Sequence, residues 1–184
     1  PSFAAALSAL GDVEVVVPDR ERSWIGKAIT RFDPVAVKHV EIEGRLMHTT
    51  PGYPADCVQL GVHTLFGRKP DIVVSGINVG YNYGTAYLQS SGTVGAALEG
   101  GIAGVPSVAF SMGGRSEGWE GWKEWAESTD ALPSWVRLAD IAGAIAGPRQ
   151  LPGETIFAAR RAEVDAVVDD PVGQGQLAGQ DRGP

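Results

Sequence analysis

The stretch from Pro70 to Thr93 constrains the fold of this chain most, because a strand, a glycine-rich loop and a helix start follow one another in it. Ile72–Val74 is a short, continuous apolar run, which is typical of a parallel strand covered on both faces. Ser75–Gly84 is predicted to be a loop, because its glycines accept backbone conformations that other residues resist. Open α/β sheets bind ligands at such strand-to-helix junctions. We therefore expect a small anionic ligand here, with phosphate as the leading candidate.

A second signal in this stretch is the helix start at Ser91–Thr93, which precedes the predicted helix Val94–Ile102. Its hydroxyl groups stand where the unpaired backbone N–H groups of a helix point outward. Those N–H groups can bind a phosphate. A Ser-Gly-Thr triplet on its own is more often a simple helix cap, so both interpretations remain open at this point.

The elements on either side of this stretch predict an α/β fold with a doubly wound, mainly parallel sheet. The predicted elements are a helix at Phe3–Leu10, buried strands at Val13–Val17 and Ser107–Ser111, and a hairpin of Val35–Ile42 with Arg45–Thr49. Crossover units run strand, helix, parallel strand. An opening helix followed by a strand therefore predicts a first strand that this sequence does not contain.

The segment from Pro51 to Gly67 is predicted to contain one helix, with Asp56 as its N-cap and Gln59 completing a capping box. Cys57 is expected to pack near the helix start, and no neighbouring base marks it as a nucleophile. The histidines lack partners at metal-ligand spacing, so a structural or exposed role is favoured for them. They are His39, His48 and His63.

The C-terminal part of the chain gives a weaker signal. Tryptophans at every third position predict an amphipathic helix, and a second helix is predicted at Trp135–Ile145. These tryptophans are Trp119, Trp122 and Trp125. We expect a core domain at residues 1–147 and an atypical tail at 148–184, with the last dozen residues disordered.

Composition excludes several classes of protein. A chain of 184 residues with 43% hydrophobic and 20% charged residues suits a single globular domain. The net charge of −7 argues against binding to a nucleic-acid duplex or a membrane surface. A single cysteine excludes an internal disulfide and a multi-cysteine zinc site, and no apolar run could span a bilayer. A cytoplasmic location is the default expectation.

Four motifs in order resemble the SurE (survival protein E) family of 5′/3′-nucleotidases. They are PDRERS at Pro18–Ser23, PADCV at Pro54–Val58, VVSGIN at Val73–Asn78 and SGTVGAALEG at Ser91–Gly100. The resemblance implies a Rossmann-like core, here incomplete at both ends. It also implies a metal-dependent phosphomonoesterase that acts on nucleoside monophosphates or other small phosphomonoesters, as a homodimer or homotetramer built partly by exchanged C-terminal segments.

The resemblance also implies roles for particular residues. Ser23 and Asn78 correspond to metal ligands of the family, and the ion would be Mg²⁺ or Mn²⁺. The helix start at Ser91, Gly92 and Thr93 would hold the phosphate. Two further residues, Gly76 and Asn82, would assist it.

This sequence departs from the family pattern at its start. Family members begin with a strand ending in Asp-Asp-Gly, which supplies carboxylate ligands; this sequence begins after it, so the catalytic residues and the general base are not identified. An Asp-Asp-Gly directly upstream would restore the enzyme interpretation in full. Tyr53 also replaces a usual threonine.

The missing aspartates change the activity that we expect. Mg²⁺ and Mn²⁺ usually take one or two carboxylates, whereas Ser23 and Asn78 supply only neutral oxygens. We therefore predict little nucleotidase activity from this polypeptide, although its parent protein would have it. The alternative is a non-catalytic module that binds phosphate or nucleotides, or serves in assembly.

Overall fold

A computed structural model describes residues 3–8, 11–42, 44–113, 121, 124–125, 128 and 132–146. The helices are α1 (Phe3–Leu7), α2 (Pro54–Leu60), α3 (Thr85–Ser90), α4 (Gly92–Ile102) and α5 (Leu132–Ala146); the strands are β1 (Val16–Pro18), β2 (Lys38–Ile42), β3 (Arg45–Thr50), β4 (Val73–Val79) and β5 (Ser107–Met112). Helix α2 continues as a π-helical segment, Gly61–Leu65. None of the described helices is long and apolar enough to cross a membrane.

Within these ranges the strands form two hydrogen-bonded sheets. One contains three strands in the order β1-β3-β2, and the other pairs β4 with β5. The β1–β3 and β4–β5 pairs are parallel, while β2 and β3 form the predicted antiparallel hairpin. The prediction of a Rossmann-like α/β fold with mainly parallel strands is confirmed.

Strand β3 is the middle strand of its sheet, and its side chains are the most buried of the three. Met47, His48 and Thr50 are all buried. His48 stands opposite His39, with 4.8 Å between the ring centroids, and it also packs against Phe66. His48 therefore occupies a packed position in the sheet, in line with the structural role that was favoured for it.

Helix α4 packs against α2, β4 and β5. The buried residues on it recur at helical spacing and are small except for one: Gly92, Gly95, Ala96, Glu99 and Gly100. A face of glycine and alanine lets neighbouring backbones approach closely. At Gly95, for example, an added Cβ would collide with the backbone of Gly26 and Lys27.

The structure corrects the predicted boundary between strand and loop after Ile72. Strand β4 runs through Ser75 and continues to Val79, so half of the expected loop is strand. The pairing with β5 shifts register between Ser75 and Asn78 and then resumes. The sequence signal was the glycine at position 76, which is a bulge residue here and not a loop residue.

Two helix predictions also need correction. Helix α2 begins at Pro54 with Tyr53 as N-cap, so Asp56 is the third helical residue and not the cap. Proline at the first helical position has the φ that a helix requires, which explains the earlier start. Helix α3, which begins after Gly84, was not predicted.

The predicted helix at Trp135–Ile145 is confirmed as α5, which packs against α1. The predicted tryptophan helix lies largely outside the described residues, which include Trp125 but not Trp119 or Trp122. The tail at 148–184 lies outside them entirely, so its expected disorder and the boundary at 147 stay predictions.

Candidate functional site

The loop that follows β1, residues 19–30, is tied at its start to the turn before α2. The backbone N–H of Asp19 donates to the carbonyl of Thr50 at 2.8 Å. The guanidinium of Arg22 donates to the carbonyl of Pro51 and lies 5.2 Å from the centre of the Tyr53 ring. A cation held over an aromatic face is attracted to it. Tyr53, which departs from the family pattern, therefore supports this loop.

Ser23 is exposed on this loop. Its hydroxyl donates to a carboxylate oxygen of Glu21 at 2.6 Å. The next residue, Trp24, has a φ of +58°, which few residues other than glycine adopt. The Trp24 side chain is 72% exposed and packs against Tyr87 with ring centroids 5.5 Å apart. The loop thus presents the Ser23 hydroxyl and an aromatic pair at the surface.

Helix α4 begins at the residues that were predicted to hold phosphate. The Ser91 side chain is buried and accepts a hydrogen bond from the backbone N–H of Val94 at 3.2 Å, so Ser91 caps the helix. Ser91 therefore acts as a helix cap, and its part in holding phosphate stays a prediction. By helix geometry, the N–H groups of Gly92 and Thr93 have no earlier helical carbonyl to bond. These two donors suit an anion.

The loop of residues 19–30, which is the Ser23 loop, is in direct contact with the start of α4. The N–H of Gly26 donates to the carbonyl of Ser90 at 2.7 Å. A Cβ added to Gly92 would lie 3.2 Å from the carbonyl oxygen of Arg22 and 3.1 Å from the side chain of Ile25. The fold thus brings the predicted metal ligand Ser23 close to the predicted phosphate-binding helix start.

Asn78 and Asn82 belong to a second group, at the carboxyl ends of β4 and β5. The side-chain amide of Asn78 donates to the carbonyl of Gly80 at 3.2 Å, which leaves its own carbonyl oxygen as an acceptor. The Asn82 amide donates to the hydroxyl of Ser111 at 2.5 Å. No hydrogen bond joins Ser23 to Asn78 within the described ranges, so their sharing of one ion stays a prediction.

Gly76 lies in the bulge of β4, two residues before Asn78. Its φ is +116°, and an added Cβ would collide with the carbonyl of Phe110. Only glycine fits a position that is both left-handed and pressed against the next strand. A direct role for Gly76 in holding phosphate stays a prediction, since these contacts explain the residue structurally.

A buried glutamate near the loop, Glu99, was not predicted as part of the site. Glu99 accepts hydrogen bonds from Lys27 and, at 2.9 Å, from Gln59. Burial alone would raise the pKa of Glu99, but the hydrogen bonds from Lys27 and Gln59 outweigh it and hold the pKa below its usual value. The one signal in the sequence was a glutamate on an otherwise small and apolar helix face.

Cys57 is buried in α2 next to Asp56. Burial, together with the charge of Asp56, raises the pKa of the Cys57 thiol to about 12. The thiolate is the nucleophilic form of cysteine, so Cys57 is unreactive at neutral pH. This agrees with the absence of a neighbouring base that would mark Cys57 as a nucleophile.

The family model for survival protein SurE matches residues 1–157 of the chain. The chain belongs to the SurE family. The SurE motifs lie in the parts of the fold just described: the loop after β1, the start of α2, strand β4 and helix α4.

Similar proteins agree with this assignment. The chain is 47% identical over 111 residues to "5′-nucleotidase SurE" of Geobacter metallireducens, and 51% identical over 114 residues to "5′-nucleotidase SurE 1" of Thermus thermophilus. Each match covers 60% of this chain, but only 42% and 44% of the respective relative. The chain therefore spans less than half the length of these SurE relatives.

A solved SurE structure has the same fold. The crystal structure of the SurE protein from Aquifex aeolicus matches with a TM-score of 0.57 and 36% sequence identity. The match covers 82% of this chain and 55% of the Aquifex chain.

The SurE residues predicted to bind a metal supply only part of what a divalent cation needs. The described part of the chain contains no group of three or more His, Cys, Asp or Glu side chains placed to hold a metal ion. Ser23 and Asn78 offer hard oxygen atoms of the kind that Mg²⁺ and Mn²⁺ prefer, but neither oxygen is charged. Chemically, they would fit as neutral members of a metal site that also has carboxylate ligands.

Proposed function

We propose that this SurE chain carries the phosphate side of a metal-dependent phosphomonoesterase, a 5′/3′-nucleotidase that hydrolyses nucleoside monophosphates. The observation that supports it best is the contact between the Ser23 loop and the start of α4. In this proposal the loop that carries Ser23, the proposed metal ligand, lies against the first turn of α4, whose N–H groups would donate to phosphate. The names of the relatives, "5′-nucleotidase SurE" and "5′-nucleotidase SurE 1", support the 5′-nucleotidase part of this proposal.

The role of α4 in this proposal is to bind the phosphoryl group. The N–H groups of Gly92 and Thr93 would donate to phosphoryl oxygens, and the positive end of the helix dipole would favour their charge. The hydroxyl of Thr93 adds one more donor. Donors fixed in place before the reaction stabilise charge as it develops on the transferred group. Asn82, whose amide donates to the Ser111 hydroxyl, would also contribute to phosphate binding.

Ser23 and Asn78 would serve as neutral ligands of Mg²⁺ or Mn²⁺. When bound, such an ion neutralises phosphoryl oxygens and makes water more acidic. The chain's own contribution is to fix the two oxygen atoms: Glu21 orients the Ser23 hydroxyl, and Gly80 orients the Asn78 amide. The general base is not assigned to any residue.

A second candidate is a non-catalytic module that binds phosphate or nucleotides. The neutral character of Ser23 and Asn78 favours it, because two uncharged ligands hold a divalent cation weakly. The N–H groups of α4 would still bind phosphate in this case. The two candidates therefore differ in turnover and in metal dependence, and they agree in phosphate binding.

Assays of p-nitrophenyl phosphate and AMP with and without Mn²⁺ test the proposal. We expect low turnover that requires Mn²⁺ and is lost in both Ser23→Ala and Asn78→Ala. The matched control is Thr64→Ala, which removes an exposed hydroxyl from the π-helical segment and should leave turnover unchanged. Phosphate binding without Mn²⁺-dependent turnover would favour the second candidate. Turnover that survives both substitutions would contradict the proposed metal ligands.

We extend the proposal to assembly and location. A homodimer or homotetramer is expected from the family resemblance, and large aromatic side chains on the surface support it. A cytoplasmic location stays part of the same proposal. The preferred nucleoside is left open.

A further inference from the structure

The second half of the Ser23 loop is attached to two helices through two buried carboxylates. Glu99 on α4 is 5% exposed and pairs with Lys27, whose side chain is one-third exposed. Its other oxygen accepts from Gln59 on α2 at 2.9 Å. Glu99 thus joins α4, α2 and the loop at one point.

Asp56 on α2 forms the second attachment, and it is also 5% exposed. Its carboxylate accepts from the backbone N–H of Thr30 at 2.9 Å and from the Thr30 hydroxyl at 2.7 Å. It accepts in addition from the N–H of Tyr53 at 2.8 Å. The loop is therefore held at Lys27 by one helix and at Thr30 by another.

These attachments make displacement of the loop costly in free energy. A buried carboxylate is costly unless charges and hydrogen bonds satisfy it, so a displaced Lys27 would leave Glu99 with Gln59 alone. The backbone contact at Gly95 limits movement in the opposite direction, because Gly26 and Lys27 already touch the helix there. The loop can neither lift away from α4 at low cost nor move closer to it.

Glu99 is too far along α4 to touch a phosphate at the helix start. It lies eight residues beyond Ser91, which corresponds to about 12 Å at the rise of an α-helix. Lys27, by contrast, is four residues after Ser23 on the loop itself. Lys27 therefore links Glu99 to the part of the loop that carries Ser23.

We propose that Glu99 is a positioning residue: acting through Lys27, it holds the Ser23 hydroxyl at a fixed distance from the start of α4, while Asp56 anchors the end of the same loop. This inference rests on the proposed function for the role of Ser23. Residues that orient metal ligands from outside typically change metal affinity tenfold to a hundredfold when they are removed.

The test compares the two partners of the same carboxylate. Lys27→Met removes the partner on the loop, and Gln59→Met removes the partner on α2. Hydrogen exchange of residues 22–30, the dissociation constant for Mn²⁺ and the urea midpoint are measured for each. Lys27→Arg keeps the positive charge at position 27 and should behave like the unsubstituted chain. The remote control is Arg68→Met, which breaks an exposed ion pair with Asp71.

We expect Lys27→Met to speed hydrogen exchange in residues 22–30 and to weaken Mn²⁺ binding by roughly tenfold or more. Gln59→Met should lower the urea midpoint without either effect. Equal effects of Lys27→Met and Gln59→Met would overturn the inference, since they would show a purely structural role for Glu99. If the unsubstituted chain binds no Mn²⁺, the proposed function fails, and the difference in hydrogen exchange alone decides whether Glu99 positions the loop.

Discussion

At the scale of single residues, distant neighbours decide what a side chain does. Asp56 has the local pattern of a helix cap, but in the fold it lies in the first turn of α2 and binds Thr30 of a separate loop. Glu99 is the one charged residue of α4, and in the fold it is buried with Lys27 and Gln59. Neither partnership has a sequence spacing that a local motif could show.

The pKa of Glu99 leads to a prediction about acid stability. Because this pKa is held below its usual value of 4.5 in the folded chain, the unfolded chain binds more protons near that pH. The stabilisation is therefore present above pH 4.5 and is lost as the pH falls through the lower, folded pKa. We expect the urea midpoint to fall as the pH is lowered below 4.5, and to fall less in Glu99→Gln.

A matched control for this prediction is Glu41→Gln, which changes an exposed carboxylate on β2. The Glu41 variant should keep the pH dependence of the unsubstituted chain. An identical pH dependence in Glu99→Gln and in the unsubstituted chain would show that Glu99 does not contribute to acid sensitivity.

At the scale of elements, α4 shows how a helix with little side-chain bulk can organise a fold. Its buried face uses glycine and alanine, so neighbouring backbones and not large side chains form the contacts. The sequence predicted the helix and its start, but it did not predict which glycines contact other segments. The strand β4 is similar, because its continuation past the bulge depends on pairing with β5, which is distant in sequence.

Two glycines of α4 give a matched pair of substitutions. Gly95→Ala places a methyl group against the backbone of Gly26, so we expect a loss of about 1–3 kcal/mol in the free energy of unfolding. Gly101→Ala faces open space, with no atom within 4 Å of the new Cβ. It should stabilise the chain by about 0.5–1 kcal/mol through helix propensity.

Urea unfolding of both alanine variants measures these changes. Opposite signs are the expected result. Destabilisation of similar size in both variants would mean that the close approach of the Ser23 loop to α4 is not what requires glycine at position 95.

At the scale of the whole molecule, the described surface carries several large aromatic side chains. Phe32 is 85% exposed, and Tyr83 is 69% exposed. Exposed aromatic groups of this size favour association between proteins, because their burial removes apolar area from water. Together with the family resemblance, they support assembly of the chain with copies of itself.

The proposed homo-oligomer predicts a measurable mass. We expect sedimentation equilibrium to give two or four times the chain mass of 19.3 kDa. Dilution should reduce that mass, since association depends on protein concentration. A mass of one chain at every concentration would contradict the proposed homo-oligomer.

The sequence by itself determined the features that depend on local pattern and motif. Apolar runs bounded by glycine and proline identified the strands of the α/β fold, and four motifs in order identified the SurE family. The start of α4 was also predictable, because a cap at Ser91 requires only a hydroxyl and the next turn of helix.

Only the tertiary structure decided how the candidate site is held together. The contact between Gly26 and Ser90, the burial of Glu99 against Lys27, and the attachment of Thr30 to Asp56 all join residues distant in sequence. Burial and hydrogen-bond partners are properties of the folded chain and have no fixed spacing along it. For this reason, the family resemblance could suggest Ser23 as a metal ligand, whereas only the fold shows the contacts that hold its loop against α4.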